Sequence, residues 1–476
     1  MKKKLISGII TGALALALLV VGVYAAIKAG LTFSGGIAFN PNGVYVELSG
    51  QIYRGKSYYD ASPVYDDASY TYEKQTNYSE SGEKSISGWQ PKDILFTPVY
   101  NLIQYKMTFK NISSADISVV PSEVTGVPSG VKAFEEAADV IKIAPGKEGT
   151  YCLSFRLQDG VSKFKTEKFS LVFDIKYTSE WEKASYYQTN SAGNEITALT
   201  STYTSNKPRL LAIPQNVKSG VSVTAVTNVN NSGTIVGALS LVDDSVTKYV
   251  VFPDTVTTLG ANVCANKMIT NVVLPKNLTT LDGSEGQSSF AGPHRANFKI
   301  AADAPNFYTE DGCLYNSAKD YIWYGAGSRD EIKLLSTTKT MRVAAFDGRN
   351  DLAYVHLNEG LQGISQGAFW RVYAMKSLVI PSTVESISAA AFYCCTGLET
   401  LTIPSSVTSI SNNQVFYGCD NLKWIRLEGN RTLSNTVTLQ GSWAKSSNST
   451  KPSSFGTVTI STTSNDGYYH QQAAYN

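Results

Sequence analysis

Histidine and cysteine are scarce in this chain, three and six among 476 residues. Hydrolysis needs a nucleophile with a base, or a metal with its ligands, so little imidazole and thiol leaves little material for either. His294, His356 and His470 fall in no metalloprotease spacing, and no CxxC pair is present for a zinc ribbon. There is no Walker loop or GxGxxG, and Gly35-Gly36 stands in no phosphate-binding context. The chain is therefore read as a non-enzyme, with no cofactor and no metal. Acidic groups at Asp60 to Asp67 and at Asp243-Asp244 are read as solvated loop charge rather than calcium sites. Charge is sparse too: 17% of residues are charged, and 41 Lys and Arg against 39 Asp and Glu leave a formal charge of +2. That balance supplies no field for polyanions, which excludes nucleic acid as a partner.

What fills the chain instead is tyrosine, 28 residues of it, among abundant Ser, Thr and Asn. This composition suits β-structure outside the cytoplasm. Met1-Lys2-Lys3-Lys4 precedes an uncharged, mostly apolar run from Leu5 to Ile27, the cationic flank and hydrophobic stretch that an export machinery reads. Residues 1–30 are a signal peptide cleaved near Val23-Tyr24-Ala25-Ala26, or an uncleaved anchor that is the chain's one link to the membrane. Either way the body is expected to face outward. The stretch Leu14 to Ala26 resembles the export signal of the camelysin and biofilm-matrix fibre family of Gram-positive bacteria. That resemblance raises a peptidase reading, but a leader carries no catalytic residues.

Residues 31–180 alternate apolar and polar with period two, the mark of strands with one buried face. Phe169, Leu171, Phe173, Ile175 and Tyr177 point one way; Tyr151, Leu153, Phe155 and Leu157 repeat the pattern, as do Ile103, Tyr105, Met107 and Phe109. Turn-rich breaks such as Asn111-Ile112-Ser113-Ser114 and Ala144-Pro145-Gly146-Lys147 separate them. The expectation is a mainly β fold that begins with an antiparallel β-sandwich, Ig-like or jelly-roll-like. The Tyr-rich stretch 57–90 lacks apolar periodicity and reads as a loop covering the sandwich, and residues 181–204 read as a linker.

From about 205 to 430 the chain repeats itself. Phe346, Phe369, Phe392 and Phe416 recur every 23 or 24 residues, in step with Ile364, Ile387 and Ile410 and with the pairs Ile380-Pro381 and Ile403-Pro404. Each period predicts a four-residue strand: Tyr249–Phe252, Asn271–Leu274, Tyr354–Leu357, Ser377–Ile380, Thr400–Ile403 and Trp424–Leu427. Inward positions such as Leu378, Ile380, Leu401 and Ile403 should share one continuous core, because a single period buries too little to stand alone. Residues 431–476 are the candidate closing end. Cys395 and Cys419 fall at equivalent places in adjacent periods, within reach of a disulfide or as small buried filler.

The strings Leu401 to Ile410 and Phe416 to Ile425 resemble the BspA-type leucine-rich repeat, and Phe307 to Tyr315 is similar to a hairpin that interrupts such arrays. The period breaks at Asp282–Asn306, and Cys264 stands in the Phe column. The resemblance implies a leucine-rich-repeat solenoid, with Cys as apolar filler, in a surface or secreted protein of the kind implicated in adhesion. Outward strand positions then become the candidate binding residues: Tyr249, Tyr354, His356, Thr400, Thr402, Trp424 and Arg426. The functional expectation is a secreted or cell-surface binding protein whose partner is an extracellular protein or glycan. The rival is a structural matrix or fibre component assembled through the sandwich by strand exchange.

Overall fold

The structure is a computed structural model. It describes residues 32–41, 46–55, 57–59, 94–96, 101–158, 160–161, 168–231, 234–264, 268–281, 289–290, 296–325, 327–430, 432–439, 441–463, 466–472 and 474. The leader, nearly all of the Tyr-rich stretch, His294 and Asp60 to Asp67 lie outside the described residues. Two compact units meet at Tyr177 and Thr178 in sequence.

The first unit is a pair of four-stranded sheets. In one, β2 (Val46–Gly55), β4 (Leu102–Asn111), β7 (Glu148–Leu157) and β6 (Val131–Glu136) pair antiparallel in that order. In the other, β3 (Ile94–Leu95), β1 (Thr32–Pro41), β8 (Lys168–Tyr177) and β5 (Ile117–Pro121) lie side by side. The alternating residues of β4, β7 and β8 supply the core: Tyr105 and Phe155 meet Phe169 at 5.2 and 4.9 Å, and Phe109 and Tyr151 meet Phe173 at 5.2 and 4.9 Å. The break after β4 is an Asx-type turn, in which buried Asn111 accepts from the Ser113 N–H at 2.8 Å and donates to the Ile143 carbonyl. One pairing departs from the antiparallel expectation: β1 runs parallel to β8 from Ser34↔Lys168 to Pro41↔Ile175.

The second unit begins earlier than the repeats do. Residues 181–204, read as a linker, instead carry β9 (Tyr187–Thr189), β10 (Glu195–Leu199) and the start of a short helix, α1 (Ser201–Asn206). Tyr186, Tyr187, Ile196, Leu199 and Tyr203 are buried against the first repeats. Their spacing has no single period because each closes a different part of the end of the array, so alternation could not reveal them.

The repeats stack by parallel pairing. Leu210–Ala212, Tyr249–Val251, Asn271–Val273 and Asn297–Lys299 form one sheet in register. Glu331–Lys333 pairs with Tyr354–His356, and Ser377–Val379, Thr400–Ile403 and Trp424–Leu427 form the next sheet. Asn297–Lys299 keeps the stacking across the interrupted period. Pro253, Pro275, Pro381 and Pro404 stand at or just beyond strand ends, where an absent N–H costs no ladder bond.

The interior differs from the single core expected. One cluster runs from Tyr186 to Tyr324 and a second from Cys313 to Tyr469. The partition is the interrupting hairpin, in which Phe307–Glu310 pairs antiparallel with Cys313–Asn316, and the adjoining strand Tyr321–Tyr324. Leu314 and Tyr324 enter the first cluster while Cys313, Tyr315 and Ile322 enter the second. Alternation sends Cys313 and Tyr315 one way and Leu314 the other, and a register shift between the paired strands at Leu314/Tyr315 sends Ile322 and Tyr324, two residues apart, into different clusters. Within the second cluster Phe346, Phe369, Phe392 and Phe416 stack at 5.1, 5.6 and 5.8 Å with interplanar angles of 14°, 7° and 5°.

Beyond residue 430 the chain closes the array. Gly467–Gln471 pairs antiparallel with Trp424–Leu427, and Trp443–Ser446 pairs with it in turn. Trp443 and Tyr469 are buried in the second cluster. An antiparallel strand ends the parallel stacking and covers an edge that would otherwise template another chain.

Candidate ligand-binding face of the solenoid

In each parallel strand the second residue is buried, so the first and third point away from the core. Register aligns Glu331 with Tyr354 and Lys333 with His356 in one sheet, and in the next it aligns Ser377, Thr400 and Trp424 in one column and Val379, Thr402 and Arg426 in another. Alternation fixes which side a residue takes but not what lies over that side. In the first half the outward column is covered. Tyr249 is 1% exposed, with the Arg209 guanidinium over its ring at 5.5 Å, so it is no part of an open face. Asn271 and Asn297 are buried as well, and Asn297 is tied to Ser328 by bonds of 3.0 and 3.2 Å from a loop that folds over it.

From Tyr354 onward the face opens. Tyr354 is 42% exposed and Val379 81%, while Thr400 and Thr402 are half-buried. His356 is exposed and its Nε2 lies 2.8 Å from the Glu331 carboxylate, which is itself buried, so an ion pair or hydrogen bond ties adjacent periods. Trp424 and Arg426 belong to the closing end more than to the open face. The Trp424 ring meets Tyr468 edge-on at 5.2 Å, and the Arg426 guanidinium lies over Tyr468 at 5.1 Å and pairs with Asp466 at 2.7 Å. Arg426 holds the Asp466 carboxyl below its ordinary range. Val379, Tyr468 and Asp466 are not among the candidate residues that the sequence offered, the last two lying in the stretch 431–476 expected only to close the array. The adjacent aromatics Tyr468-Tyr469, residues of high strand preference, were the signal that could have found the strand Gly467–Gln471.

Among the described residues no group of three or more His, Cys, Asp or Glu is placed to hold a metal ion. His470 is buried, with Nε2 3.0 Å from both Ser446 Oγ and the Asn448 carbonyl, which locks the closing strands together. Cys395 and Cys419 are free thiols; each donates its S–H to a carbonyl in the preceding period, Phe369 and Phe392, at 2.9 Å. Burial pushes the Cys395 thiol well above its usual range, and Cys313 up to about 12. No described helix is long and apolar enough to cross a membrane.

Residues 209–293 and 316–442 match the BspA type leucine rich repeat region in six copies. No curated protein matches the chain. Among solved structures, a leucine rich cell surface protein from Faecalibacterium prausnitzii A2-165 is 20% identical with a TM-score of 0.34, the match covering 50% of this chain and 64% of that one. This chain thus spans under two thirds of that protein. A leucine-rich repeat protein from Eubacterium ventriosum ATCC 27560 is 18% identical over 51% and 78% of the two chains, TM-score 0.32. The pneumococcal vaccine antigen PcpA is 14% identical over 52% and 88%, TM-score 0.28.

Proposed function

We propose that this chain, whose residues 209–293 and 316–442 are a BspA-type leucine-rich-repeat region, is a non-enzymatic binding protein exported to the cell surface or beyond. It adheres to an extracellular protein or glycan of cells or matrix through the open half of its outward sheet face. The observation that carries the reading is Val379, an 81% exposed valine with exposed Tyr354 and His356 and half-buried Thr400 and Thr402 on the neighbouring strands. A valine suits a strand whichever way it points, but one held so far into water beside exposed Tyr354 gives a partner apolar area to bury. The lysine-flanked apolar run at residues 1–27 supports export, and low net charge suits a partner recognised by shape and apolar contact.

The test is an array of matrix proteins and glycans probed with the full chain and with the double variant Tyr354→Ala/Val379→Asp. Both residues are exposed, so melting should not change. Binding should weaken roughly tenfold or more, as for residues at the centre of an interface. Equal binding by the variant would remove this face from the account.

A second reading, a fibre component, draws on β1. It lies first among the described strands and pairs parallel with β8 over eight residues, while its other neighbour, β3, has two residues. A strand held on one side by few bonds is a candidate for exchange between copies. Concentration-dependent filaments of the full chain, lost when β1 is removed, would favour it.

A further inference from the structure

A second surface, separate from the sheet face, lies on the turns that carry the phenylalanine ladder. There the backbone makes its own inter-period ladder. Phe346 N–H donates to the Ala368 carbonyl, Phe369 to Ala391 and Phe392 to Val415, at 2.9, 2.9 and 3.0 Å. Flanking bonds run from Gly348 to Trp370, from Arg371 to Tyr393 and from Cys394 to Tyr417. Each turn is bracketed by two left-handed residues: Gly367 and Arg371, Ala390 and Cys394, Gln414 and Gly418, with φ between 51° and 73°. Alternation along this ladder puts phenylalanine inside and the following residue outside. Those residues are Trp370, Tyr393 and Tyr417, whose ring centroids follow one another at 5.2 and 5.1 Å. Trp370 is 38% and Tyr417 47% exposed, with Tyr393 half-buried between them.

The surroundings of this strip are neutral. No charged residue occurs from Ser386 to Leu398, and only Asp420 from Ser409 to Leu422. Arg371, over the Trp370 ring at 5.4 Å, is neutralised by a bidentate pair with Asp347 at 2.8 and 2.9 Å. At the last ring the strip ends in a shallow pocket bordered by Tyr417, Ser411, Asn412, Gln414 and Thr438. The Asn412 Oδ1 is taken by the Thr438 N–H at 2.9 Å, while its Nδ2 and the exposed Gln414 amide bond to no described residue.

Aromatic rings beside uncommitted amides and hydroxyls, without charge, match one ligand chemistry well. A pyranose offers apolar C–H groups to the rings, of which Tyr393 and Tyr417 are stacked on each other and present their outer edges, and hydroxyls to the amides. A polyanion would need Arg or Lys free of a partner. A peptide adding as a strand would need open backbone groups, which the ladder has already used. The advance of about one period per ring is also close to the length of one sugar unit in an extended chain. We propose that Trp370, Tyr393 and Tyr417, with Asn412 and Gln414, form a binding site for a neutral polysaccharide lying along the repeat axis, one sugar per period.

Affinity electrophoresis of the full chain tests this, in gels containing mixed-linkage β-glucan, xylan, galactomannan, yeast mannan or dextran, with heparin as the charged control. At least one neutral polymer should retard the protein. Retardation should fall roughly tenfold in Tyr393→Ala/Tyr417→Ala and in Gln414→Ala, and persist in Tyr354→Ala/Val379→Asp. Gln414 is exposed, so its variant reads the site even if the double variant loses stability, which melting would reveal. The site is refuted if no neutral polymer retards the chain, if heparin alone does, or if Gln414→Ala with Tyr417→Ser migrates as wild type. Equal loss in the sheet-face variant also refutes it. Because that variant is read separately, failure of this site leaves the proposed adhesive face standing, and the reverse.

Discussion

Phe392 sits between Phe369 and Phe416 with no exposed surface, while Val379, thirteen positions earlier, stands 81% exposed. Truncating the first leaves a cavity and truncating the second only changes solvation. Phe392→Ala should therefore cost about 3–5 kcal/mol in urea melts and Val379→Ser less than about 0.5 kcal/mol. Similar losses would mean that the columns are misassigned. Both columns were legible in the sequence because stacking repeats the same environment at the same phase. Tyr249 was not, since its burial comes from what covers it, Arg209 included, and no periodicity encodes that.

The thiols and one carboxylate add two more outcomes at this scale. Burial holds Cys395 and Cys313 protonated, so iodoacetamide at pH 8 should leave both unmodified in the folded chain and label them on unfolding. Rapid labelling, or a mass two protons short before reduction, would contradict the buried free thiols. Asp243 is pulled down to about 2, first by its hydrogen bond from Ser245 and then by Lys207, whose Nζ lies 2.9 Å away. A carboxylate depressed in the folded state contributes stability above its unfolded value of about 3.9 and loses it as pH falls toward 2. The stability gap between wild type and Asp243→Asn should thus be present at neutral pH and close between about pH 4 and 2; a gap that persists there would refute the pairing.

At the scale of elements, the parallel strands were readable and the two ends were not. A repeat announces itself through copies, whereas an end is a single solution. β9, β10 and α1 close one end with Tyr186, Tyr187 and Tyr203, and Trp443 and Tyr469 help close the other. The hairpin from Phe307 was visible as a motif, yet its action as a partition rests on a register shift that the motif does not encode. Removing residues 431–476 should uncover the Trp424–Leu427 edge and the inner side chains Ile425 and Leu427. Light scattering should then show aggregation on mild warming at a temperature where the full chain stays dispersed. A truncated chain as soluble as the full one would show that the closing strands are dispensable. The same packing explains why Trp424 and Arg426, chosen from sequence as binding residues, report on the closing end when mutated: both are tied to Tyr468, and Arg426 to Asp466 as well.

At the scale of the whole molecule, two outward surfaces of the second unit carry the proposals: the sheet face around Val379 and the neutral aromatic strip ending at Tyr417. Composition foretold a mainly β chain, because residue usage is a property of the entire sequence. It did not foretell which half of the face is open, which depends on loops such as the one carrying Ser328. The most direct measurement is a deuterium-exchange footprint of the full chain with and without whichever array ligand binds it. The adhesive face predicts slowed exchange in peptides spanning Tyr354–His356, Ser377–Val379 and Thr400–Ile403, with Leu210–Ala212 and Tyr249–Val251 unchanged. Protection confined to the sandwich strands or to the covered half would contradict it.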